Sequence, residues 1–192
     1  ERLVKDLLTS KLVIEPNTRM KYSNYGYSLL GLLIEAASNE SYVNYIEKNI
    51  VRPLKLKDTG ADGDYKSLPR LSKAYGRLDH KGGRAAYPSP STNAMAAATG
   101  VYSTAADLCK LTYHLLPESP DILLNKKSKR ELIRSHWPIP LDAPKKIYGL
   151  GIQVTKVGSR TMIGHGGGFP GHTTKTFCDQ NDGLTVSVTT NC

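Results

Sequence analysis

The hydrophobic period changes near residue 148, and that change limits what this chain can fold into more than any other feature. On the C-terminal side Leu150, Ile152 and Val154 alternate with Gly151, Gln153 and Thr155. Leu184, Val186 and Val188 alternate in the same way with Thr185, Ser187 and Thr189. A period of 2 belongs to strands with one buried face. Gly158-Ser159 suits a two-residue turn into a return strand over Arg160–Gly164, and Thr173–Cys178 pairs with residues 184–190, so four antiparallel strands are expected. On the N-terminal side the period is 3.6. Leu30, Leu33, Ile34 and Ala37 recur at i, i+3, i+4 and i+7, with Leu29, Leu32 and Ala36 filling the flank. This predicts a helix buried on most of its circumference, capped by Ser23 or Asn24.

Other helical segments surround it. Leu3, Leu7 and Leu8 give a short face, and Tyr42, Tyr45, Ile46, Asn49 and Ile50 fall at helical spacing before Pro53. Thr104 and Asp107 have the spacing of a capping box ahead of Leu108, Leu111 and Leu115. A basic helix over 127–135 ends near Trp137-Pro138, with Pro138, Pro140 and Pro144 as a connector. Helices followed by a meander indicate an α+β layer packing, and no βαβ alternation suggests a dinucleotide fold.

The length suits one domain, mainly helical over 1–147 and an antiparallel sheet over 148–192. Residues 61–100 show little periodicity and are rich in Gly and Pro, which makes them a long loop, either the wall of a cleft or a plain linker. The first residues carry no signal-peptide pattern, and no apolar run reaches the roughly 18 residues of a membrane span. The net charge is +9, but the basic residues are scattered. Their densest cluster, Lys126-Lys127-Ser128-Lys129-Arg130, reads as the solvated side of a helix, with no aromatic-basic pattern for nucleic acid. The three cysteines, Cys109, Cys178 and Cys192, lack the spacing of a zinc site, and no disulfide is expected.

Two polar segments could carry chemistry. Tyr22-Ser23-Asn24 sets a phenol, a hydroxyl and a carboxamide at the mouth of the central helix, where the cap holds them still. The plain alternative is a polar cap with a tyrosine packed beside it. Gly164-His165-Gly166-Gly167-Gly168 lies on or beside a strand. Residues 166–171 spell G-x-G-x-x-G, but Pro170 interrupts them and a strand-like segment follows, so the nucleotide fingerprint fails on context. His165 and His172 have no third ligand at a telling spacing, and a glycine-rich hairpin loop is the plain reading.

The order Tyr-Ser-Asn-x-Gly-Tyr-x-Leu-Leu-Gly at residues 22–31, then Pro53-Leu54, then Gly-His-Gly-Gly-Gly at residues 164–168 resembles the penicillin-recognising serine hydrolases. The nearest branch is that of class C β-lactamases, D-alanyl-D-alanine peptidases and related esterases. The resemblance implies a β-lactamase/transpeptidase-like fold, no cofactor, and an amide or ester substrate attacked through an acyl-enzyme. It places Tyr22 as a proton shuttle, Asn24 as a donor to the substrate, His165 at the cationic or hydrogen-bonding position, and Gly166, Gly167 and Gly168 along the substrate. The family's nucleophile motif, Ser-x-x-Lys, is absent, because no serine in this chain has a lysine three positions on. A phenol of ordinary pKa, about 10, is a poor base at neutral pH without a neighbouring cation, and in the family that cation is the motif's lysine. The resemblance therefore implies a partial domain, trimmed at both ends and inactive alone. A non-catalytic binding or scaffold module on the same fold is the alternative. In the family an upstream segment supplies the nucleophile. Such proteins are often periplasmic or extracellular, and the chain itself carries no address.

Overall fold

The computed structural model describes residues 2–62, 68–88, 91–139 and 146–192. Helix α1 (Arg2–Thr9) leads by a loop to α2 (Asn24–Ser38), followed by α3 (Tyr42–Ile46), which runs into a π-helical turn over Glu47–Val51. Strand β1 (Gly60–Ala61) precedes the hairpin β2 (Ala74–Leu78) and β3 (Arg84–Tyr87). A 3-10 turn at Asn93–Met95 opens α4 (Ala96–Thr99), and β4 (Val101–Tyr102) returns to pair with β1. Helices α5 (Ala105–Tyr113) and α6 (Lys126–Leu132) come next. They are followed by β5 (Trp137–Pro138), β6 (Ile147–Tyr148), β7 (Gln153–Val157), β8 (Arg160–Phe169), β9 (His172–Asp179) and β10 (Thr185–Thr190).

The last six strands form one antiparallel sheet in the order β10-β9-β8-β7-β6-β5. Period-2 patterning located the long strands and missed the two short ones, because a two-residue strand has no period to read. The sheet thus begins at Trp137 and not at residue 148, and Pro138, expected in a connector, sits in an edge strand where its missing N–H costs no ladder bond. Pro140 and Pro144 lie outside the described residues. The 61–100 stretch also departs from expectation. It holds the β2–β3 hairpin, closed by Asp79 accepting from the Lys81 and Gly83 amides with Gly82 at φ 78°, and then α4. Gly63 and Pro90 of that stretch lie outside the described residues.

Ser23, not Asn24, caps α2: its hydroxyl accepts from the Gly26 amide at 3.0 Å. The expected burial of α2 on most of its circumference does not hold. Only Ser28 and Gly31 are buried, while Leu29, Leu30 and Leu33 are exposed. The helix packs through its small residues: a Cβ on Gly31 would stand 2.6 Å from the Ala97 Cβ of α4. Among the described residues, no element covers the leucines on the opposite side.

The capping box at α5 is half formed. Thr104 accepts from the Asp107 amide, but the Asp107 carboxylate reaches away, to the Asp58 amide and the Thr59 hydroxyl. That tie holds the 53–59 turn on α5, and Val51, Leu54 and Leu56 pack there beside Leu111. The main core lies between α5 and the sheet, where Leu116, Ile152, Ile163 and Cys178 are buried together. Each such side chain contributes on the order of 1.5–3 kcal/mol. Among the described residues, no helix is long and apolar enough to cross a membrane.

Asp62 links this scaffold to α4. It accepts from the Ser91 and Thr92 hydroxyls and the Thr92 and Asn93 amides, fixing where the helix begins. Burial alone would raise its pKa, but these hydrogen bonds outweigh burial and hold it below the usual carboxylate range. A depressed folded pKa gives stability that is full above the unfolded value of about 3.9 and is lost as pH falls through the folded value. Asp62→Ala should cost about 1 kcal/mol at pH 7 in urea unfolding. The gap to wild type should close as pH drops below about 4. A gap that does not change with pH would show that the carboxylate charge plays no part.

Candidate active site

The direction in which His165 points is set by packing two residues away. Along a strand, residues i and i+2 share a face. Ile163 is fully buried toward α5, so His165 faces the same way, just beyond the edge of that core. There β8 outruns its neighbour. Residues 160–164 pair with β7 and residues 162–169 with β9, so that residues 165–169 pair only with β9 among the described strands. The second edge of Gly166, Gly167 and Gly168 is open to a cleft. Pro170-Gly171, with Gly171 at φ 75°, turns the chain back into β9, which is why the glycine run makes a hairpin and not a nucleotide loop.

The cleft has a volume of about 920 Å³, which is within the usual range for ligand sites. The mouth of α2, α4, α5, β8 and β9 all contribute to it, and its described lining contains no Lys, Arg, Asp or Glu. Tyr22, Asn24, His165 and the three glycines all line it. With Ser23 engaged as the cap, the Asn24 carboxamide is left to the cleft. The Tyr22 and His165 rings stack with centroids 6.2 Å apart at 28°, although 143 residues separate them by number (165 − 22). A Cβ on Gly168 would meet open space, whereas one on Gly167 would press on the Thr174 methyl at 3.0 Å. Gly164 has no latitude, since a Cβ there would fall 2.0 Å from the Thr176 carbonyl oxygen.

Sequence reasoning missed Tyr148. Its buried ring stands edge-on to both Tyr22 and His165, with centroids 6.2 Å and 5.7 Å away, and its hydroxyl lies 2.9 Å from His165 Nε2. The Tyr27 phenol of α2 lies beside Tyr148. Burial, reinforced by the neighbouring Tyr27 and Tyr22 phenols, raises the Tyr148 pKa, and burial also raises that of Tyr27. The available signal was an aromatic residue ahead of Gly149 and Gly151, two glycines in a turn that brings the chain against Tyr27. His172 lines the far part of the cleft, and burial lowers its pKa. Among the described residues, no group of three or more His, Cys, Asp or Glu could hold a metal ion.

A protein-family model described as β-lactamase matches residues 1–192. The chain belongs to the β-lactamase family. It is 33% identical over 173 residues to the probable hydrolase clz13 of Cochliobolus lunatus, covering 84% of this chain and 27% of that protein. It is 30% identical over 181 residues to the D-alanyl-D-alanine-carboxypeptidase/endopeptidase AmpH of Escherichia coli, covering 88% of this chain and 45% of AmpH. The fold superimposes on a D-stereospecific amidohydrolase from Streptomyces with a TM-score of 0.83 at 25% identity, over 98% of this chain and 55% of that one. The chain therefore spans well under two thirds of each of these relatives. The β-lactamase-family assignment makes it a member of a hydrolase family with the β-lactamase/transpeptidase-like α+β fold.

Proposed function

We propose that the cleft is the acyl-transfer site of a serine hydrolase acting on an amide or ester, with the nucleophile on a part of the protein outside these 192 residues. The observation that carries this reading is the stacking of Tyr22 on His165 over one cleft. In the reaction a serine oxygen attacks the substrate carbonyl and its proton passes through Tyr22 to the leaving amine or alcohol. Water then attacks the acyl-enzyme and releases the acid. Asn24 donates to the substrate beside the reacting bond. The open edge of residues 166–168 receives an extended acyl donor as an added strand would be received. The His165 ring stands next to it, stacked on Tyr22. The peptidase and amidohydrolase relatives support an amide or peptide-like substrate.

Fluorescent penicillin and a fluorophosphonate test this directly. The isolated chain should show no burst acylation, while the whole protein should be labelled at a serine of a Ser-x-x-Lys motif. A burst from the isolated chain, or an unlabelled whole protein, would overturn the reading. The absent nucleophile favours a second reading, a binding or scaffold module on the same fold. The coding sequence upstream of Glu1 separates the two: Ser-x-x-Lys within some tens of residues supports the enzyme, and its absence supports the module.

A further inference from the structure

Tyr148 sits one layer behind the cleft, buried and outside its lining, with its hydroxyl 2.9 Å from His165 Nε2. The other ring nitrogen, Nδ1, faces the carbonyl of Gly166. A carbonyl oxygen only accepts, so that hydrogen bond requires the proton on Nδ1. In neutral imidazole the second nitrogen is then an acceptor, and the Tyr148 hydroxyl donates to it. This is the reverse of the tautomer an unconstrained histidine side chain prefers. The Tyr27 phenol of α2 lies beside Tyr148, and the turn after Tyr148 carries Gly151 against the Tyr27 hydroxyl.

We infer that Tyr148 is a positioning residue for the cleft: it locks His165 as the Nδ1–H tautomer, so that the imidazole meets substrate with its ring face against Tyr22 and not with an N–H. The inference rests on the reading of His165 as a site residue. With both ring nitrogens engaged by the protein, Tyr22 and Asn24 are the polar groups left to meet the reacting bond. A phenol oxygen also accepts, so if His165 gains a proton Tyr148 turns from donor to acceptor without moving its oxygen. Burial raises the Tyr148 pKa, which keeps its own proton in place meanwhile.

The test is a long-range proton–nitrogen correlation spectrum of the chain labelled with nitrogen-15 at histidine, recorded without substrate, with His165 assigned through His165→Gln. In the neutral form, His165 Nδ1 should show a pyrrole-like shift and Nε2 a pyridine-like one. Tyr148→Phe keeps the ring and removes the hydroxyl, and should move the pair toward the Nε2–H tautomer with little change in the thermal midpoint. A wild-type Nε2–H tautomer, or a Tyr148→Phe spectrum with both nitrogen shifts unchanged, would overturn the inference. If the variant fails to fold, the wild-type tautomer alone decides. A whole protein that never acylates would remove the hydrolase reading and leave this result in place, and an unexpected tautomer would do the converse.

Discussion

Replacing Tyr22 by Phe is expected to lower turnover of the whole protein on a fluorogenic ester or D-amino-acid amide by roughly 10²–10⁴-fold, the usual worth of a positioned acid–base group. The change deletes one oxygen. The ring remains to stack on His165 and to meet Tyr148 edge-on, so the cleft keeps its shape. KM should move little, because in the proposed role the lost interaction belongs to proton transfer and not to docking along residues 166–168. Steady-state kinetics of the purified variant settle it: a loss of less than about tenfold, or one confined to KM, would remove Tyr22 from the chemistry.

The largest expected effect on stability comes from a residue far from the cleft. Lys129 is fully buried, and its ammonium donates to the Ser119 carbonyl at 2.8 Å and the Pro120 carbonyl at 2.9 Å. It also reaches the Ser119 hydroxyl at 3.1 Å and the Asp121 carboxylate at 3.0 Å. These contacts pin the loop after α5 to α6. Lys129→Met keeps most of the stem and strands two backbone carbonyls, at a cost on the order of 3 kcal/mol. For a domain of this size that is a fall in Tm of roughly 6–12 °C. Lys127→Met, two residues away on the exposed side, should stay within about 0.5 kcal/mol of wild type. Equal unfolding midpoints for the two variants would show that burial of Lys129 carries no energetic weight.

The contrast between these two lysines marks what composition can reveal. A run of four basic residues in five correctly suggests a helix surface, but which member turns inward depends on a loop ten residues upstream that offers carbonyls. The mouth of α2 was legible because a cap is a local device: Ser23 and the Gly26 amide are three residues apart. The long strands were legible for the same reason, their alternation being local. The leucines of α2 misled, since periodicity reports which residues are apolar and not whether a partner exists to cover them. The Tyr22–His165 pairing came from family resemblance and not from any physical pattern. Tyr148 stayed hidden because its importance comes wholly from residues on other elements.

The Gly158-Ser159 turn and the pairing of Val157 with Arg160 fix how far along its strand the imidazole sits. Deleting one residue between Arg160 and His165 would rotate the ring to the opposite side of the sheet. Deleting two would restore the side but displace the ring by about 7 Å, out of reach of Tyr22. This stretch can therefore exchange one amino acid for another, within the limit set at Gly164, far more readily than it can change in length.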